Sequence, residues 1–104
     1  MDRQDDTQER PGSLDEVRES IDSVDQKIVR LLAEREGYVR RAARFKETRG
    51  DVEAPKRVEK VIRRVRMLAR EHGADPEVVE KVYRAMISRF IALEMDEQEE
   101  RRGP

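Results

Sequence analysis

The sequence predicts an all-α chain of three helices, one of them very long, that pairs with a second copy as an intertwined homodimer. Three observations carry that reading. Apolar residues recur in steps of three and four over three separate stretches, and no stretch alternates with the period of two that marks a half-buried strand. Pro-Gly, Ala-Pro and Asp-Pro steps punctuate the chain between those stretches, where helix boundaries belong. The composition, 45% charged and 36% apolar with no Trp, builds narrow seams between helices rather than a thick core, so a partner is expected to cover a seam.

The same composition narrows the chemistry. There is no Cys, so disulfides, thiol nucleophiles and thiolate metal sites are excluded. A single His forms no His cluster within a chain, and we expect neither metal nor cofactor. The net charge of -1 gives the whole molecule no bias towards nucleic acid or membrane. No apolar run approaches the ~18 residues of a membrane span, and the acidic N-terminus lacks the apolar core of a signal peptide. A soluble, cytoplasmic protein is the expectation.

Residues 1–12 are polar and unpatterned and read as a disordered tail. Ser13 to Glu16 is a capping box that opens the first helix, predicted from Leu14 to Lys46 and about 50 Å long. Its seam is Leu14, Val17, Ile21, Val24, Ile28 and Leu31, then Arg35, then Tyr38, Ala42 and Phe45, with Gly37 the weak point. Residues 47–54 lose the period and read as a loop. Pro55 starts the second helix, whose apolar face is Val58, Val61, Ile62, Val65, Leu68 and Ala69, and His72-Gly73 ends it. Asp75 caps a third helix with Pro76 at its first position and a stripe of Val79, Val82, Tyr83, Met86, Ile87, Phe90 and Ile91, then Glu94. Together 13–95 forms the helical domain, and the charged residues 96–104 read as a fraying tail. Two shorter helices cannot cover a seam about 50 Å long, which leads to the dimer.

Two residues break their own pattern. Arg35 interrupts the first seam and Glu94 the third stripe. A guanidinium in an apolar seam is costly unless an anion meets it. On one continuous helix Lys46, 11 residues after Arg35, falls roughly 20° from the same direction and ~16 Å along, so the two bracket a small anion. Arg57, in the first turn of the second helix, adds a cation near free backbone N–H groups. Arg18 lies about 25 Å from Arg35 along the helix, so it serves the same ligand only from a second subunit.

Blander readings stand beside these. Arg35 can snorkel or set register against a partner Glu; Lys46 can be a cation at a helix end; Glu94 can be solvated; Arg18 can pair with Asp22. The basic second helix (Lys56, Arg57, Lys60, Arg63, Arg64, Arg66, Arg70) admits a nucleic-acid reader, but no aromatics interleave and a solvated face is the simpler account. A non-enzymatic helical interaction module also fits the pattern. With no Cys, no His base and no glycine-rich phosphate loop, a site here suits orientation and electrostatic stabilisation of an organic dianion.

Over roughly 14–95 the chain resembles the all-helical, AroQ-type chorismate mutases, in the stretches LDEVRESIDSVDQKIVRLLAER, the FK ending at Lys46, APKRV and YRAMISRFIALE. The resemblance implies an interlocked dimer and the Claisen rearrangement of chorismate to prephenate. It implies that Arg18 of the other subunit and Arg35 bind substrate carboxylates, that Lys46 donates to the ether oxygen, and that Arg57 is a further site arginine. Glu94 stands where many members have Gln, the second donor to that oxygen. A carboxyl group donates there only when protonated, a form that burial and an anionic substrate favour and a neighbouring lysine disfavours.

Two positions depart from the mutase pattern. Many mutases have Asp at position 54 and a hydroxyl-binding Glu at position 58; this chain has Ala54 and Val58, with Glu59 one residue, about 100°, out of place. APKRV and RRAARFK resemble the isochorismate-pyruvate lyase branch, and a mutase for 4-amino-4-deoxychorismate is a third option.

Overall fold

The computed structural model describes residues 12–103, all helices and turns with no strand among them. The disordered tail expected for 1–12 lies outside the described residues except for Gly12. Four helices follow in order: α1 Leu14–Ala43, α2 Arg49–Glu53, α3 Pro55–Glu71 and α4 Pro76–Arg102. The chain divides into two units, Met1–Gly37 and Tyr38–Pro104, with the boundary at the glycine inside α1.

In the first unit, Ser13 Oγ accepts from the Glu16 amide at 3.1 Å, and the Glu16 carboxylate accepts from Gly12 rather than from Ser13 itself. The helix then runs without a break. Its six leading seam residues all remain exposed; Ile21 is 53% and Ile28 48% accessible. This continuous exposed apolar row is the surface on which the dimer expectation rests.

The second unit holds the core: Ala43, Val52, Val61, Ile62, Val65 and Ala69 are buried. α3 packs along α4, and α2 packs on the far end of α4. The face of α3 follows the predicted period, except that Val58 is half-buried and Leu68 exposed. The ends of α3 and α4 obey local chemistry. Gly73, at φ 76°, closes α3 with a Schellman pair: its N–H bonds Arg70 O at 3.3 Å and the Ala74 N–H bonds Ala69 O at 2.8 Å. Asp75 caps α4 by accepting from the Glu77 amide at 2.8 Å.

Three expectations are corrected. α1 stops at Ala43, not Lys46: Arg44, Phe45 and Lys46 each donate to the carbonyl three residues back, the tight bonding of a helix end. Residues 47–54 contain a one-turn helix, because Thr48 and Asp51 form a reciprocal capping box. Nor does the chain fray after Met95, since α4 continues to Arg102. Its extra turns are tied down by Glu97 accepting from Arg40, by Gln98, and by Arg102.

Ala54 joins α2 to α3 with φ 38° and ψ 60°, a left-handed conformation costing roughly 1 kcal/mol in a residue with a Cβ. Pro55 opens α3 immediately after it, and the Ala54 N–H donates to Gly50 O at 2.9 Å, which helps hold the corner.

Candidate functional site

The polar centre of the second unit lies where the segment 46–48 meets α4. Lys46 Nζ donates to Glu94 Oε2 at 2.9 Å. The Glu94 side chain is 5% exposed and that of Lys46 27%. Glu94 is therefore no solvated residue at a frayed end. It is a buried carboxyl group paired with Lys46, an arrangement that stays buried only because the charge is met.

The segment carrying Lys46 is neither helix nor strand, so its backbone groups need partners from elsewhere. The Glu47 and Thr48 amides both donate to Asp51 Oδ2 at 3.1 Å, and these bonds hold the Asp51 carboxyl below its ordinary range. Gln98 Nε2 donates to Lys46 O at 3.5 Å and to Thr48 O at 3.2 Å. Arg102 Nη2 donates to Glu47 O at 3.2 Å. Gln98, 5% exposed, is a residue of this polar centre that the sequence reading missed, having assigned it to the tail. Its signal was available: it follows Glu94 by four residues and so extends the stripe by one turn.

The remaining expected residues sit as follows. Arg57 is exposed in the first turn of α3. Arg35 is half-buried on α1. Arg18 is exposed and lies 4.0 Å from Asp15, one turn earlier. The structure brings Lys46 and Glu94 together. It does so through a loop, so the shared helix face that linked Lys46 to Arg35 by angle does not exist, because α1 has ended by then.

Glu59 is otherwise engaged. Arg84 Nη1 and Nη2 each donate to one of its oxygens at 3.0 Å, while Arg84 Nε donates to Glu80 at 2.7 Å. Arg66 joins Glu80 at 2.6 Å and Glu77 at 2.9 Å, which completes a five-residue network between α3 and α4. The guanidinium of Arg84 lowers the Glu59 and Glu80 carboxyls from their ordinary range. Glu59 thus serves helix packing, and the half-buried Val58 offers no hydrogen bond in its place.

No helix among the described residues is long and apolar enough to cross a membrane. The fold and the lysine–carboxyl pair define an all-helical domain whose polar centre can present donors to an anionic organic ligand. The chain belongs to the chorismate mutase type II family, whose model matches residues 17–95. It is 34% identical over 97 residues to an isochorismate pyruvate lyase of Pseudomonas aeruginosa, covering 93% of this chain and 96% of that one. It is 33% identical over 88 residues to a chorismate mutase of Methanocaldococcus jannaschii, covering 84% of this chain and 89% of that one.

Proposed function

We propose that the protein catalyses the rearrangement of chorismate to prephenate as a homodimer. The observation that carries this reading is the Lys46–Glu94 pair, 2.9 Å apart with the carboxyl group almost excluded from water. In the rearrangement the ether C–O bond breaks as a C–C bond forms, and negative charge grows on the ether oxygen. Lys46 Nζ donates to that oxygen. Glu94, when protonated, supplies the second donor, and substrate displaces the bond the two make to each other. Donors fixed in a water-poor site act far more strongly than the same groups in solution.

Arg35 of the same chain, Arg18 of the second chain and Arg57 bind the carboxylates and orient the substrate. The exposed seam of α1 is the surface on which the second chain packs: six apolar residues in register over about 26 Å of a helix about 45 Å long.

A second reading, isochorismate-pyruvate lyase activity, draws on Val58. An apolar side chain stands where many mutases hold the ring hydroxyl with an acid, and Glu59 is taken up by Arg84. The 4-amino analogue of chorismate is open on the same ground.

Assaying the purified protein with chorismate, isochorismate and 4-amino-4-deoxychorismate in parallel separates these. The expected outcome is the highest kcat/KM with chorismate and formation of prephenate. Dominant turnover of isochorismate with release of pyruvate would establish the lyase instead.

A further inference from the structure

We infer that Gln98 is a positioning residue for Lys46, so that the last two turns of α4 belong to the catalytic apparatus. This rests on the reading of Lys46 as donor to the ether oxygen. Residues 94, 98 and 102 follow one another at helical spacing on one face of α4, and all three address the segment 46–48. Glu94 meets the Lys46 side chain, Gln98 holds the carbonyls on either side of Glu47, and Arg102 holds the carbonyl of Glu47 itself.

The three contacts differ in strength. The Arg102 bond is exposed and exchanges readily with water. Gln98 is 5% exposed, and a buried carboxamide is costly to leave unpaired, so its bonds persist. The bond to Thr48 O, at 3.2 Å, is the firmer of its two; that to Lys46 O, at 3.5 Å, is at the limit of a hydrogen bond.

A lysine side chain is flexible, so the place its Nζ can occupy depends on where its Cα is held. On a helix the backbone ladder would hold it. Lys46 lies past the end of α1, and Gln98 supplies from α4 the N–H donors to its carbonyl and to that of Thr48 that the ladder no longer provides. Asp51 fixes the amide side of the same segment, and Gln98 fixes the carbonyl side.

The test replaces Gln98 with Met, of similar shape and without N–H donors. In Gln98→Met, kcat for chorismate should fall about 10- to 100-fold, as expected for misplacing a catalytic group by about an ångström, with KM changed less than about twofold. Amide exchange at Glu47 and Thr48 should quicken while Val61 to Ala69 keep their protection. Gln98→Leu, likewise without a donor, serves if the Met variant does not fold. Wild-type kcat in either folded variant, or a loss accompanied by equal loss of protection in α3, would overturn the inference. Lys46→Ala separates the two levels. If it retains turnover, the site assignment itself fails; if it loses turnover and Gln98→Met does not, only the positioning role fails.

Discussion

Glu94 accepts a hydrogen bond from Lys46 Nζ at 2.9 Å, across 48 residues of sequence and with almost no access to water. Glu94 supplies a second donor to the substrate ether oxygen only as the neutral carboxyl group, whereas Glu94→Gln carries a permanent N–H donor of the same shape. Glu94→Gln should therefore turn over chorismate at least as fast as wild type, and Glu94→Ala about 100-fold or more slowly. Steady-state kinetics check this, and wild-type turnover by Glu94→Ala would remove Glu94 from the site.

On the proposed function Val58 leaves the chorismate ring without an acidic partner, and the neighbouring Glu59 has both its oxygens bonded to Arg84. Val58→Glu should restore a hydroxyl contact and raise kcat/KM for chorismate about tenfold, in keeping with one hydrogen bond to a charged group. Steady-state kinetics measure it. An unchanged or lower value would place the ring elsewhere.

The intersubunit assignment of Arg18 predicts complementation. Arg18→Ala and Arg35→Ala should each be inactive alone. After unfolding and refolding together, random pairing makes about half the dimers mixed, each with one intact site of two, so about a quarter of wild-type activity returns. Absence of recovery in refolded mixed dimers would mean that both arginines act from the same chain.

The Glu59–Arg84–Glu80 network predicts an acid-sensitive contribution to stability. Both carboxyls are lowered from the ordinary value of 4.5 by Arg84, so the unfolded chain binds more protons than the native one through that range. Their contribution is complete above the unfolded value and is lost as pH falls through the depressed folded values. Arg84→Met should lower the urea midpoint at neutral pH and flatten its decline in acid. A decline parallel to that of wild type would show that the network is not its source.

Local chemistry made most of the fold legible. Pro55, Gly73 and Asp75 mark helix ends by backbone conformation and capping, which a short stretch of sequence determines, and all three act where expected. The core positions of α3 followed from helical period alone. Around the site, periodicity misled. Extending the first seam to Phe45 assumed one unbroken helix, whereas the ladder closes at Ala43 and the Thr48–Asp51 box begins another. Lys46, three residues past the end of α1, no longer follows the helical angle from which that face was drawn. Glu94 was legible as an anomaly in an apolar stripe. Gln98 continues that stripe by one turn, but a polar residue in a charged stretch reads as solvated until carbonyls 50 and 52 residues away are brought against it.

On the proposed function Lys46 carries the chemistry. The most direct measurement is chorismate turnover by Lys46→Ala, taken with its helicity and its mass in solution. A fall in kcat of about 100-fold or more, in a dimer folded like the wild type, is the predicted result. Turnover within a fewfold of wild type would contradict it.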